Sequence, residues 1–322
     1  MNGSGCVFLL SAILLAQSVM AAESYPVRPL RMIIPAAPGG APDIAGRLIA
    51  AEISKQMGQQ VVVENRPGSA GVLGFAATAR ATPDGYTIGQ ATFPIATNPS
   101  MFINLPYDAL RDFQMVVLMA SGTNLLAVSP ALAMRSVQEL IDVARKSPGK
   151  LSFGSSGNGT SMHLSMELFR QMTDTNLLHV PYKGIQQAIA DAIAGQIQVV
   201  CDNMGSILPH VKAGRMRALG VTSPKRSGVV PELPTIAEQG VPGYEITPWS
   251  GFMVPARVPR EIVLRLNSEI NKAIFSPTLT EKYFATVGST PVGSTPEHFT
   301  EHVRKEIAKW GQVLKAAGIR AE

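Results

Sequence analysis

Short runs of β-branched and other apolar residues alternate with helical patterns along most of this chain. The run at residues 31–35 precedes a helical pattern from Asp43, and the run at residues 61–64 precedes another over residues 72–79. The same alternation recurs between residues 151 and 221. Strands and helices that alternate at this spacing form βαβ units. The sequence therefore predicts an α/β fold whose sheets are mostly parallel.

The chain after Pro255 is predicted to be helical. Thr295 is placed as the N-cap of a long helix and Pro296 as its first residue. One apolar stripe runs along this helix, which predicts that the helix docks on a sheet. The Pro-rich residues 229–255 are predicted to form a long connection over the surface. The stripe consists of Phe299, Val303, Ile307, Trp310 and Leu314.

The amino-acid composition and the net charge exclude several classes of protein and of partner. The chain has 322 residues, of which 46% are hydrophobic and 16% charged, and this excludes a disordered chain and a coiled coil. The net charge of +5 is modest, and no dense Lys/Arg stripe or aromatic platform accompanies it. We therefore expect no nucleic-acid partner. The charge is compatible with a small anionic ligand.

Residues 1–22 have the features of a secretory signal peptide. Residues 7–16 form an apolar core, and residues 18–22 offer small side chains for cleavage. Ten apolar residues are too few to span a bilayer, which argues against the alternative of a membrane anchor. Cleavage would remove Cys6 and leave Cys201 alone, so we expect no internal disulfide and a buried Cys201.

Three glycine-rich turns join a predicted strand to a predicted helix, at residues 38–43, 68–71 and 154–160. Such a turn places unpaired backbone N–H groups and the positive end of a helix together. Glycine also lets a ligand approach the backbone, because no Cβ intervenes. Each turn is weak evidence alone, since glycine is common in such loops. Together they predict an anion site.

The two longer turns contain no lysine or arginine. We therefore expect main-chain N–H groups, hydroxyls and bridging water to hold an anion, without a guanidinium clamp. Arg47 and Lys183 are the nearest cations, and both are expected to be solvated or paired. Asp43 is expected to cap the first helix.

The chain does not match the motifs for nucleotide binding or for a nucleophilic serine, because required glycines are missing at the defined spacings. The pair Gly149 and Lys150 lacks the upstream glycine that a phosphate-binding loop requires. Met162 stands where a dinucleotide fingerprint needs its third glycine, and Asn158 where a nucleophile elbow needs its last one. The sequence therefore predicts no cofactor, no catalytic residues and no enzymatic activity.

One short motif leaves an enzymatic alternative open. His298, Glu301 and His302 match the H-x-x-E-H pattern of some zinc peptidases. The motif lies beside the apolar stripe of the terminal helix, where an exposed polar face explains it more simply. A secreted zinc hydrolase remains an alternative function.

Several further motifs occur in order along the chain and carry a resemblance. They resemble the extracytoplasmic solute receptors of tripartite tricarboxylate transporters, the Bug or TctC-like family. The resemblance covers essentially the whole mature chain. The motifs are PGG at residues 38–40, VVENRP at 62–67, PDGYT at 83–87, GNGT at 157–160, VPYKG at 180–184 and ALGVT at 218–222.

The resemblance implies a periplasmic-binding-protein fold of type II, with two α/β lobes and two crossover segments. Lobe one would comprise residues 24–122 and 246–322, and lobe two residues 123–245. The protein would be periplasmic. It would capture an aliphatic di- or tricarboxylate, an amino acid or an aromatic acid in the interlobe cleft, and deliver it to membrane transporter subunits. A ligand-sensing subunit of a signalling system would have the same sequence features.

The resemblance also implies which residues surround the ligand. The turn after the first strand should face the turn at residues 155–161 across the cleft. The expected ligand-binding residues are Ala37, Pro38, Gly39, Gly40, Asp43, Ser69, Ala70, Thr92, Ser155, Gly157, Asn158, Gly159, Thr160, Ser161, Tyr182 and Asp202.

This sequence departs from the family at one informative position. The family usually has a bulky residue after the first strand's proline, whereas Ala36 follows Pro35 here. We hypothesise that the missing ring leaves room for a bulkier acid, such as an aromatic one. Alternatively, Phe93 or Trp249 restores the volume.

Overall fold

The computed structural model describes residues 25–316 and 318–319, so the predicted signal peptide lies outside the described residues. Eleven strands form two sheets. The first sheet has the order β11-β4-β10-β3-β1-β2, with β1 (Leu30–Ile34), β2 (Val61–Asn65), β3 (Thr87–Thr92), β4 (Phe113–Ser121), β10 (Trp249–Pro255) and β11 (Thr290–Pro291). The second has the order β7-β6-β8-β5-β9, with β5 (Asn124–Val128), β6 (Ser152–Ser155), β7 (Leu178–Pro181), β8 (Val199–Asn203) and β9 (Arg217–Val221).

Helices flank both sheets, and apolar clusters lie on both faces of each. The first sheet carries α1 (Ala41–Met57), α2 (Val72–Ala79), α3 (Pro94–Met101), α8 (Arg260–Ile274), α9 (Pro277–Leu279), a π-helical turn (Thr280–Phe284), α10 (Ala285–Val287) and α11 (Pro296–Ala316). The second carries α4 (Val137–Lys146), α5 (Ser161–Thr173), α6 (Ile185–Ile193) and α7 (Met204–Lys212). Short 3₁₀ turns occur at Ser69–Gly71 and Ala237–Gln239. The predicted two-lobed α/β fold is confirmed.

Most strands of each sheet run in one direction, as predicted, although the sheets are mixed. Four of the six strands in the first sheet and four of the five in the second are parallel to one another. The pairs β1-β2, β1-β3, β6-β7 and β6-β8 are parallel, whereas β10 and β5 run antiparallel to both of their neighbours. The chain crosses between the sheets just before β5 and β10. A strand that enters a sheet at the edge where its neighbours end must run in the opposite direction.

β10 corrects a prediction made from the sequence. Residues 229–255 were predicted to form a surface connection, yet Trp249–Pro255 is a buried strand between β3 and β4. Proline remains compatible with this strand because Pro255 is its last residue.

The two crossings lie side by side and are joined by hydrogen bonds. The Thr222 hydroxyl donates to the Ile246 carbonyl at 2.8 Å and accepts from the Asn124 N–H at 2.9 Å. The Gly122 N–H donates to the Pro248 carbonyl at 2.8 Å. Tyr244 packs in the core of the second sheet, whereas Ile246 packs in the core of the first.

The terminal helix agrees with its prediction. α11 begins at Pro296, and the Thr295 hydroxyl accepts from the His298 N–H at 3.2 Å. Four residues of the predicted stripe are buried against the first sheet, and Ile307 packs beside them. Cys201 is buried, as predicted. Among the helices of the described residues, none has the length and apolar character needed to cross a bilayer.

A candidate ligand site between the two sheets

A cleft of about 380 Å³ separates the two sheets and is lined by residues of both. Pro35 follows β1, Thr92 ends β3, and Asp202 lies near the end of β8. The cleft therefore lies at the carboxyl ends of these strands, where α/β proteins bind their ligands. Its volume is in the range of small-molecule sites.

Helices α1, α3, α5, α6 and α7 begin at this cleft, and Gly71, the N-cap of α2, lines it as well. The first-turn N–H groups of a helix have no partner within the helix, and they carry partial positive charge. No side chain of the N-cap residue caps α1, α3, α6 or α7, whereas Thr160 caps α5. Such ends favour an anion. The lining residues at these helix starts are Gly40, Ala41, Pro42, Phe93, Pro94, Thr160, Ser161, Met162, Gly184, Ile185, Gln186 and Asn203.

The turn between β1 and α1 is held by Asp43. Gly39, at a φ of +81°, donates its N–H to Asp43 Oδ2 at 2.9 Å. Arg47 Nε and Asn65 Nδ2 donate to Oδ1 of the same carboxylate at 3.0 and 2.9 Å. Burial alone would raise the pKa of Asp43, but the hydrogen bonds from Arg47, Gly39 and Asn65 together lower it. Asp43 thus braces the turn. The N-cap of α1 is Gly40, so the prediction that Asp43 caps this helix is wrong. Arg47 was expected to be solvated or paired, and it is paired with Asp43.

The turn between β6 and α5 is held by two histidines. The Gly159 N–H donates to His163 Nδ1 at 3.1 Å, and Ser155 Oγ lies 2.7 Å from His179 Nε2. The two imidazole rings stack at 4.3 Å between centroids. Burial lowers the pKa of His163 to about 3 and that of His179 to about 4. Both rings are therefore neutral at neutral pH, as the acceptor role of His163 Nδ1 requires. Ser155 is fully buried, so its contact with His179 is structural.

The sequence-predicted site residues fall into two groups. Lining the cleft are Ala37, Pro38, Gly40, Ala70, Thr92, Thr160, Ser161 and Asp202. Outside the lining are Gly39, Asp43, Ser69, Ser155, Gly157, Asn158, Gly159 and Tyr182. The Tyr182 hydroxyl donates to Asp191 Oδ2 at 2.7 Å. Burial, followed by the bond to Asp191, raises the pKa of Tyr182 to about 12.

Residues of the two turns that were expected to face each other both line the cleft, and the lobes approach each other at two places beside it. A Cβ on Gly184 would lie 3.5 Å from the Ala37 Cβ, so the turn after β1 faces the start of α6. The turn at residues 154–160 instead faces α3, where the Thr97 hydroxyl donates to the Gly159 carbonyl at 3.2 Å. A Cβ on Gly159 would also lie 3.4 Å from the Ala70 Cβ.

Several lining residues of the second sheet were not among the predicted ones. The segment between β7 and α6 repeats the order of strand, glycine turn and helix that identified the other turns, and this signal was available in the sequence. No comparable sequence signal marks the residues after β8. The missed lining residues are Lys183, Gly184, Gln186, Gln187, Asn203 and Ser206.

Lys183 and Asp202 are the charged side chains among the described residues that line the cleft. Lys183 is exposed. Asp202 is fully buried, and its Oδ1 accepts from Asn203 Nδ2 at 3.1 Å. Its Oδ2 has no hydrogen-bond partner among the described residues. Burial raises the pKa of Asp202 to about 7, so a proton is readily held there.

An apolar wall occupies the first-sheet side of the cleft. Ala36, Phe93 and Trp249 all line it. Phe93 and Trp249 are 2% and 4% exposed and belong to the core. The cleft has a volume of about 380 Å³ with Ala36 in its lining and with Phe93 and Trp249 packed into the core.

The zinc motif is not assembled into a metal site. Glu301 pairs with Arg304 at 2.6 Å, and the ring of His302 packs against Trp249 at 5.0 Å. Within residues 25–316 and 318–319, no group of three or more His, Cys, Asp or Glu side chains is placed to hold a metal ion.

The family described as tripartite tricarboxylate transporter family receptor, TctC, matches residues 45–319. This chain belongs to that family. The resemblance carried by the motifs is therefore confirmed.

Relatives of this TctC-family chain align with it along almost its whole length. It is 40% identical over 293 residues to the UPF0065 protein in the tcbD-tcbE intergenic region of Pseudomonas sp. strain P51, covering 91% of this chain and 87% of the relative. It is 35% identical over 303 residues to protein BugT of Bordetella pertussis, covering 94% and 93%. The structure of R. palustris Rpa4515 with adipate is 38% identical and superposes with a TM-score of 0.89, covering 92% and 100%.

Proposed function

We propose that this protein is a periplasmic receptor that captures a small carboxylate in its interlobe cleft and delivers it to a tripartite-type membrane transporter. The observation that carries the proposal is the convergence of several helix starts on one cleft. A related protein, R. palustris Rpa4515, has a structure with adipate. Family membership supports the partner, because the family is one of transporter receptors.

In this proposal, main-chain N–H groups supply most of the hydrogen bonds to the carboxylate. The hydroxyl of Ser161 and the ammonium group of Lys183 add side-chain donors from the second sheet. The Thr160 hydroxyl instead donates to the Gly157 carbonyl at 2.8 Å. The ligand joins donors that belong to different lobes, so it favours the closed arrangement over the open one. We place the lobe boundaries at residues 122/123 and 245/246, where the chain crosses between the sheets.

Asp202 gives the site a further polar contact. Its buried Oδ2 lacks a partner among the described residues, and an ionised Asp202 would repel a carboxylate. In its protonated form the same oxygen can donate a hydrogen bond to the ligand. We propose that Asp202 binds the acid as a neutral donor.

The size of the cleft supports a ligand with a sizeable apolar body. Ala36 leaves open the space that a bulky family residue would occupy, while Phe93 and Trp249 belong to the apolar wall beside it. We therefore propose a bulkier acid, such as an aromatic one, in preference to a short dicarboxylate.

A thermal-shift panel tests the function. Mature protein is heated with benzoate, 4-hydroxybenzoate, adipate, succinate or aspartate, with methyl benzoate as the uncharged control. A cognate acid at 100 times its Kd should raise the Tm by about 5 °C, because it binds only the folded state. Calorimetric titration then gives the stoichiometry. If no acid in a broadened carboxylate panel shifts the Tm, the receptor proposal is wrong.

Delivery to a transporter needs its own test. The membrane subunits, reconstituted in vesicles, should take up the labelled acid only when the loaded receptor is added outside. Uptake that is equally fast without the receptor would contradict delivery while leaving the binding result intact.

A further inference from the structure

The two tryptophans of the chain share one hydrogen-bond acceptor. The indole Nε1 of Trp249 donates to Glu306 Oε2 at 3.0 Å, and the Nε1 of Trp310 donates to the same oxygen at 3.1 Å. Glu306 lies on α11, one helical turn before Trp310. A single carboxylate oxygen thus connects β10 to the terminal helix.

This carboxylate lies behind the aromatic wall of the cleft. Trp249 lines the cleft directly. Trp310 packs edge-on against Phe93 at 4.9 Å between ring centroids, and Phe93 also lines the cleft. The Phe93 N–H donates to the Trp249 carbonyl at 3.1 Å. Both lining residues are therefore held by contacts with residues that do not line the cleft, Glu306 and Trp310.

A carboxylate is well suited to this position. Both indoles are almost fully buried, so each N–H needs an acceptor, and a charged acceptor makes the stronger hydrogen bonds. Without the acceptor, two buried donors would lose their partner at once. The Trp249 ring would then be held by packing alone, against Phe299 and His302.

We propose that Glu306 is a positioning residue that fixes the Trp249 and Phe93 rings and thereby sets the size of the ligand body that the cleft accepts. The inference rests on the proposed function for its ligand but not for its geometry. Glu306 does not line the cleft, so its effect on binding passes through the two tryptophans.

Fluorescence tests the geometry without any ligand. In a Trp310→Phe background, Trp249 is the one remaining tryptophan and reports alone. Glu306→Leu should change the emission maximum of Trp249 and increase its quenching by acrylamide. Glu306→Gln retains an acceptor oxygen and should leave both unchanged. If Glu306→Leu leaves emission and quenching as they were, the positioning role is wrong.

Selectivity tests the consequence for binding. With both tryptophans present, the Kd values of benzoate and adipate are measured by calorimetry in wild type, Glu306→Leu and Glu306→Gln. A loosened wall should change the ratio of the two Kd values by about tenfold in Glu306→Leu, and Glu306→Gln should keep the wild-type ratio. An equal change in both Kd values would overturn the selectivity role, because general destabilisation weakens both acids alike.

A matched control lies on the same helix. Glu301→Leu also removes a carboxylate from α11, but Glu301 contacts Arg304 and Lys305 rather than an indole, so both readouts should stay at wild-type values. If Glu306→Leu fails to fold, Glu306→Asp replaces it, since the shorter side chain cannot reach both indoles. If wild type binds neither acid, the ligand proposal fails, and the fluorescence result alone decides the positioning role.

Discussion

The two walls of the cleft differ in chemistry. The first sheet contributes glycine, alanine and proline turns together with Phe93 and Trp249, and its one ionisable lining residue in the described chain is Tyr283. The second sheet contributes Lys183 and Asp202 together with amide and hydroxyl side chains. The first wall thus shapes the site, and the second supplies its charge. A substitution on one wall should alter size selection, and a substitution on the other should alter dependence on charge and pH.

The largest expected effect comes from holding the walls apart. Gly184 has an extended φ of −164°, so a side chain there strains no backbone and meets only Ala37 of the other lobe. Gly184→Leu should weaken every acid about 100-fold, as expected if the closed population falls to about 1%. Calorimetry measures this loss. Gly228→Leu is the control, because no atom lies within 4 Å of its Cβ position. Wild-type affinity in Gly184→Leu would show that closure is not required.

Filling the first wall should have a selective effect. Ala36→Phe places a ring in the cleft lining and should weaken an aromatic acid about 30-fold through overpacking of roughly 2 kcal/mol. A short dicarboxylate should lose much less. The ratio of Kd values for benzoate and succinate measures the effect, with Ala36→Ser as the small control. Unchanged affinities for all acids would contradict the space argument.

Removing the positive charge of the second wall should have a moderate effect. Lys183→Met should weaken carboxylate binding about tenfold and make the remaining affinity less sensitive to salt. Titrations at two salt concentrations measure this change. Lys150→Met, at an exposed lysine outside the cleft, is the control. If wild type and Lys183→Met show the same affinity and salt dependence, Lys183 is not a ligand contact.

The last expected effect concerns stability rather than affinity, and it arises from the titration of Asp202. The pKa of about 7 in the folded state lies above the unfolded value of about 3.9, so folded protein releases its proton later as the pH rises. The free energy of unfolding should therefore fall between about pH 4 and pH 7, by at most about 1.4 kcal/mol per unit, and Asp202→Asn should lack this loss. Melting curves of the ligand-free proteins measure the difference.

Binding by Asp202 should follow the same titration. Carboxylate affinity should fall as the pH rises through about 7 in wild type, whereas Asp202→Asn, which retains a donor, should show a flat profile. Asp174→Asn, at an exposed aspartate, is the control. A loss of binding in Asp202→Asn at every pH would show that Asp202 accepts a hydrogen bond from the ligand instead.

Features with a local sequence signal were predictable. The strand and helix alternation, the Thr295 cap and the stripe of α11 are confirmed because each depends on residues a few positions apart. The strand β10 was missed because its burial depends on β3 and β4, which lie far away in sequence.

The site was predictable to a lesser degree for the same reason. Glycine turns are visible locally, but which turn faces which depends on how the lobes meet, as the approach of Gly184 to Ala37 shows. The shared acceptor Glu306 carries no local signal, because Trp249 precedes it by 57 positions.

The hydroxyl of Thr222 has a mechanical consequence. It is bonded at once to the chain entering the second lobe and to the chain leaving it. Sliding one strand past the other would break both bonds, whereas bending about this point preserves them. We therefore expect the two lobes to open by rotation about the crossings near Thr222, while the two crossing segments stay joined.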